Sequence, residues 1–281
     1  MTTSAGTVQR RPPLRARLPG FLPVFTALVV VFLFAPIAVM SAFSFNDPAG
    51  RQNITWQGFT LRNYVDLWGR SQVTDPMVVS VAVATVSTIV ATAFGTMIGL
   101  ALTRYHFRGR SIMNLLIFIP MTAPEIILGA SLLTMWISIG TPRGFLTILV
   151  AHVMFNISYV VVTVRARLVG FNRSLEEAGM DLYANERTTF WRVTFPLIFP
   201  GILAAGLLAF ALSIDDYVIT LFNAGRTVTF PLWVFGASRV GIPPEVNVLG
   251  TIIFLVAIVF IGVQLWSQRR AAEARQAVPG G

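Results

Sequence analysis

Six stretches of this chain are apolar almost without interruption, and the polar residues are confined to the segments between them. The runs are Phe21–Phe43, Pro76–Thr103, Ile112–Ile139, Phe145–Val164, Ile198–Phe222 and Val246–Trp266. Each reaches or exceeds the roughly 20 residues a helix needs to cross a hydrocarbon core. The pattern predicts an all-α polytopic membrane protein. The third run carries Pro120 and Pro124, and a proline inside a helix frees a carbonyl and kinks the chain. Such a kink needs neighbouring helices, side chains or water to take up the freed groups, so this run is expected to face protein or a cavity.

Composition agrees: 55% of residues are hydrophobic and 12% charged, with a mean hydropathy of +0.72, whereas soluble domains carry about a quarter charged residues. The net charge of +9 would suggest nucleic-acid binding in a soluble protein. Here the basic residues lie between apolar runs, where they set topology, and no nucleic-acid partner is expected. With the N-terminus inside, the cytosolic segments hold 15 arginines and the outer loops 6. Both termini and the loop 165–197 are therefore expected in the cytosol. The division is a basic tail over 1–20, a six-helix domain over 21–267 that includes the loop, and a cytosolic tail over 268–281. The chain has no cysteine and no lysine. That excludes disulfides, thiolate chemistry, Schiff bases and a Walker-type ATP site within this polypeptide.

The basic start and first apolar run could also be read as a cleaved signal peptide. The run, however, exceeds the roughly 7–15 residues of such a core, which favours a retained first span. In the outer segment 44–75, Trp56, Tyr64 and Trp68 fit interfacial anchors. Asn53-Ile-Thr55 fits a glycosylation sequon.

The loop after the fourth run is charged and helix-capable. Ser174-Leu-Glu-Glu177 forms a capping box, and a helix from Leu175 places Leu175, Ala178, Gly179 and Leu182 on one face. Glu176 lies off that stripe, toward another surface. Asn185 is a plausible cap for a second helical segment that ends near Pro196. Two short helices with a small-residue face suit insertion into a partner's groove, and they equally suit lying on the membrane surface.

This segment resembles the EAA loop of the membrane-spanning subunits of ABC importers. That pattern is Glu-Ala-Ala, three residues, Gly, nine residues, then Ile-x-Leu-Pro. Glu177 and Ala178 match its start and Pro196 its end, with the spacing kept. The chain departs at Gly179 for the second Ala, Tyr183 for the Gly, Val193 for the Ile and Phe195 for the Leu. At Tyr183, either the helix continues or the ring packs on a partner. Further stretches resemble the spermidine/putrescine-type branch: Phe43-Ser-Phe-Asn46, Trp56-x-Gly-Phe-Thr60-Leu-x-x-Tyr64, Pro124-Glu-Ile-Ile-Leu-Gly129, Ser213-Ile-Asp-Asp-Tyr-Val-Ile-Thr220, Phe230-Pro-Leu and Gly241-x-x-Pro-Glu-x-Asn247. The likeness runs from about residue 20 to 267.

The resemblance implies the type I (MetI-like) importer fold in a bacterial inner membrane. It implies an outer binding protein, a second permease subunit that is commonly a different polypeptide, and two cytosolic ABC ATPases that use ATP. No cofactor would be bound by this chain and no catalytic residue would be needed in it. Docking would fall to Glu176, Glu177, Ala178, Gly179, Asp181, Leu182, Tyr183 and Pro196. A polyamine is the leading substrate, with opines or amino-acid-like solutes as alternatives.

Glu125, Asp215 and Asp216 lie within apolar runs, and an intramembrane carboxylate is a functional candidate by default. A cationic solute would suit a carboxylate-lined path. Glu125 fits a structural role beside the freed backbone at Pro120 and Pro124. Adjacent Asp215 and Asp216 cannot share one helix face, and Tyr217 and Asn223 are further path candidates. His152 fits a hydrogen-bonded packing element, and no metal-ligand spacing is present. Arg165, Arg167 and Arg173 fit anchors at the inner leaflet. An ion-coupled secondary transporter would use Glu125, Asp215 and Asp216 as a relay and would show inverted repeats, none of which is evident. An intramembrane enzyme would need a nucleophile–base set, which is also missing.

Overall fold

Two of the long apolar runs are broken, one of them at a proline, in this computed structural model, which describes residues 21–50, 52–170, 172 and 174–276. The tail 1–20 and its signal-peptide reading, Arg173, and the end of the C-terminal tail lie outside the described residues. The helices are α1 (Phe21–Phe43), α2 (Arg62–Asp66), α3 (Ser71–Arg104), α4 (Arg110–Thr122), α5 (Glu125–Ser138), α6 (Phe145–Val169), α7 (Ser174–Asp181), α8 (Glu186–Thr189), α9 (Phe195–Ile214), α10 (Val218–Asn223), α11 (Phe230–Val240) and α12 (Pro244–Gln276). By length and composition α1, α3, α6 and the continuous run Glu186–Ile214 can each cross a membrane, and α4 with α5 makes a fifth when taken as one span. The sixth run falls in α12.

The third run departs from the expected kink. Its halves α4 and α5 meet at 108°, far beyond an ordinary proline bend. Pro124 pushes the preceding residue out of the helical region, and Ala123 accordingly has φ −72° and ψ 137°. The fifth run is also divided, since α9 stops at Ile214 and α10 resumes at Val218. At the N-terminal start of the fifth run, by contrast, the helix does not end near Pro196 as expected. It passes through a π-helical turn, Phe190–Thr194, directly into α9. A proline cannot donate to the carbonyl four residues back and crowds it, and the wider π turn lies immediately ahead of Pro196.

Two compact units make up the described chain. The unit over 65–241 is built on α3, α6 and α9. Ser87, Ala91, Gly95 and Gly99 recur every fourth residue of α3 and are buried, the small-residue spacing that lets helix backbones close in. A Cβ on Gly95 would sit 2.6 Å from Val160 Cγ1, and one on Gly206 would meet Thr92 Oγ1 at 3.3 Å. Ala91, Val160, Val164, Leu168, Ile198, Ala205 and Ala209 complete this core.

The unit formed by residues 21–64 and 242–276 pairs α1 with α12, with the Phe34 and Phe254 rings 6.4 Å apart. Most of α1 is exposed apolar surface, the condition of a helix bathed in lipid. Its outer segment is stitched by asparagines. Asn46 Nδ2 donates to Asn53 Oδ1 (2.6 Å) and the Thr55 carbonyl (2.8 Å), and Asn53 Nδ2 donates to the Phe43 carbonyl (2.7 Å). Asn53 is buried and its amide nitrogen is engaged, which corrects the sequon reading: no glycan can attach there without unpicking the segment. Of the three outer aromatics, Trp56 and Trp68 are exposed as interfacial anchors are, whereas the Tyr64 hydroxyl hydrogen-bonds Ser44 Oγ at 2.7 Å.

Candidate functional site

The charged loop 174–196 folds as two short helices and a π turn. Asn185 caps α8 as expected, its side chain accepting from the Thr188 amide at 2.8 Å. The α7 helix lies against α8 and the π turn at Gly179, where an added Cβ would touch Val193 and Thr189 at 3.6–3.7 Å, ordinary contact distances. Gly179→Ala, which restores the residue of the EAA pattern, therefore meets no clash and gains helix propensity of about 1 kcal/mol. A raised thermal midpoint with unchanged uptake is the expected result in a melting assay.

Tyr183 answers the question left open at the motif's glycine. It is the only non-glycine residue among those described with positive φ, at 61°. The helix does not continue: α7 stops at Asp181, and the tight turn is kept by a side chain that pays about 1–2 kcal/mol to adopt it. Its ring is fully exposed and packs on none of the described residues. Leu175 (47%), Ala178 and Leu182 (82%) are also open, so the predicted stripe faces outward, apart from Gly179, which faces α8 and the π turn. Glu177, Asp181 and Pro196 are exposed as well.

Glu176 goes the other way. It is buried, and its carboxylate is bound by Arg104 at the end of α3 and by the Thr194 hydroxyl. One surface of α7, on which Glu176 was expected among the docking residues, is thus turned inward to an ion pair. The arginines expected at the inner leaflet make internal ties too. Arg165 donates to Asn114 Oδ1 (2.7 Å) and Arg167 to the Leu197 carbonyl (3.3 Å). Sequence reasoning counted Arg104 only toward topology, and its position at the last residue of an apolar run gave no sign of a partner 72 residues on.

The carboxylates of the fifth run separate cleanly. Asp216 is turned inward, where it accepts from the Ile219 and Thr220 amides (3.3 and 2.8 Å) and the Thr220 hydroxyl (2.7 Å). It thereby caps α10 and lies 3.3 Å from His152 Nε2. His152 bridges Thr220 Oγ1 (2.9 Å) and Ser213 Oγ (2.6 Å), and Ser213 meets Ser87 at 3.0 Å. With a hydrogen on Nε2, the Thr220 hydroxyl accepts from His152 and donates to Asp216, which links these groups in one chain. His152 is the packing element its isolation suggested. Asp216 Oδ2 takes most of these contacts, while Oδ1 has only the 3.3 Å one from the Ile219 amide. Asp215, one residue earlier, is exposed, and Tyr217 stacks on Phe235 at 4.5 Å, with the Arg239 guanidinium 4.6 Å over the same ring. Asn223 is fully buried and accepts from Trp136 Nε1 at 2.8 Å, which removes it from the path. Glu125 is exposed in the first turn of α5, where the helix dipole favours an anion. No group of three or more metal-ligating side chains occurs among the described residues.

Long apolar helices with small-residue contacts and a two-helix loop turned outward define an inner-membrane transport subunit. Residues 91–273 match the family described as binding-protein-dependent transport system inner membrane component, and the chain belongs to that family. It is 35% identical over 238 residues to the spermidine/putrescine transport system permease protein PotC of Escherichia coli K12, covering 84% of this chain and 89% of that one. It is 36% identical over 261 residues to the putrescine transport system permease protein PotI of the same organism, covering 90% and 92%. In fold it is similar to a chain of a bacterial ABC transporter involved in the import of the acidic polysaccharide alginate, with a TM-score of 0.62, 19% identity and coverage of 92% and 99%. These relatives are transport permeases, not enzymes.

Proposed function

We propose that this chain is one of two membrane-spanning subunits of an ATP-driven polyamine importer. It crosses the membrane six times with both termini in the cytosol, α4–α5 counting as the third crossing and α12 as the sixth. The tails 1–20 and 268–281 are cytosolic. An extracytoplasmic binding protein delivers the solute, and a cytosolic ABC ATPase grips the loop 174–196 and is the partner that consumes ATP. The carrying observation is the outward face of that loop. Leu175 and Ala178 on α7, with Leu182 and Tyr183 in the turn that follows it, are open to the surroundings. The names of the relatives, both polyamine permeases, support the substrate class.

Asp215 is the carboxylate we assign to the path, with Tyr217 and Glu125 as further contacts for a polyamine chain. An exposed anion beside an aromatic ring is what an ammonium group recognises. The test is uptake of labelled spermidine or putrescine by the assembled transporter in liposomes. ATP-dependent uptake is expected, and uptake driven by an ion gradient without the ATPase would instead establish the ion-coupled reading. Asp215→Asn should raise the KM for a polyamine about tenfold, the worth of one charge-assisted contact, with the protein level unchanged. An unaltered KM would remove Asp215 from the path.

A further inference from the structure

One oxygen of Glu176 joins three elements. Glu176 Oε1 receives Arg104 Nη2, from the last residue of α3, and Thr194 Oγ1, from the last residue of the π turn that runs into α9. Arg104 Nη2 also lies 3.5 Å from Thr194 Oγ1, which closes the triangle. The two charged side chains are 25% and 11% exposed. A pair this sheltered is screened far less than a surface pair, and removal of one partner strands the other charge. The contact also gives α7 a tie to α3, beside the continuous path from the π turn into α9. Along the chain, α7 reaches α6 only through 170–173, and α3 reaches α4 only through the turn at 105–109. Through Glu176, α7 is tied directly to the cytosolic end of α3, the helix whose small-residue face runs against α6 and α9.

We propose that Arg104, Glu176 and Thr194 are a transmission clamp: positioning residues that make α7 move with α3 and α9, so that ATPase motion reaches the helices that line transport. The proposal rests on the loop being the ATPase contact, and it assigns Glu176 to the interior of that machinery rather than to its surface. A rigid element whose position both sites bias is the physical form such coupling requires.

The test uses the full transporter in liposomes, with ATPase, second permease and binding protein, and reads solute moved per ATP hydrolysed. Glu176→Gln and Arg104→Met should retain the ATPase at normal stoichiometry and continue to hydrolyse ATP, while solute moved per ATP falls about tenfold, the effect of losing one strong coupling contact. The exchange Arg104→Glu with Glu176→Arg should bring the ratio back to within about threefold, because it restores the pair. Thr194→Val, which leaves the charges in place, should lower the ratio about threefold, and it reads the clamp even where the charge deletions fail to accumulate. A normal ratio in any of the three single variants overturns the proposal, and so does a charge exchange no better than the charge deletions. Loss of ATPase from Glu176→Gln also overturns it, making Glu176 a docking residue while leaving the docking reading intact. That reading fails separately when Ala178→Asp, on the open face, keeps both ATPase and uptake.

Discussion

Ala178→Asp abolishes uptake while the chain still inserts and accumulates at its normal level. Ala178 is on the open side of α7 between Leu175 and Leu182, so a carboxylate there is solvated in the free subunit and has no effect on folding. Seated in a partner's groove it is desolvated without a counter-ion, at a cost of about 3–5 kcal/mol. That weakens the association by roughly two to four orders of magnitude. Co-purification of the ATPase from detergent extracts, beside a membrane immunoblot, checks the result. Glu177→Ala in the same chain removes the acidic contact beside it and should deepen the loss. A variant that retains both ATPase and transport would place the docking surface elsewhere.

Asp216→Ala has the opposite profile: the chain itself is lost. Its carboxylate accepts from two amides and a hydroxyl and faces His152. Its removal leaves the start of α10 uncapped and the Ser87–Ser213–His152–Thr220 chain without its terminal acceptor. Stranded buried donors of this kind cost about 3–5 kcal/mol in total, a large share of a domain's stability of about 5–15 kcal/mol. A fall in the thermal midpoint of about 6–20 °C is expected, with little protein left in the membrane fraction. Asp215→Asn, one residue away, should melt normally. Equal melting of the two variants would mean that the capping geometry contributes little.

The six apolar runs, the capping of α8 by Asn185 and the outward stripe of α7 were legible because each depends on local periodicity or on a single side chain and the backbone beside it. What escaped was set by tertiary partners. Arg104, Arg165 and Arg167 look alike in a string of arginines, yet each is tied to a different residue far along the chain. The identical neighbours Asp215 and Asp216 differ only because α9 breaks between Ile214 and Val218. A proline announces a bend but not its angle, so Pro124 gave no warning of the 108° reversal. At Tyr183 the sequence argued against the turn, since a tyrosine resists positive φ. The ring at that strained position is fully exposed.

The fourfold spacing of Ser87, Ala91, Gly95 and Gly99 has a mechanical side. Where helices touch through long side chains, rotamers can rearrange and the helices slide; where they touch through glycine, alanine and serine, no such compliance exists. The block of α3, α6 and α9 is therefore stiff, and its neighbours yield where backbone hydrogen bonding is already interrupted, at 123–124 and at 215–217. One of those two joints carries the exposed Asp215.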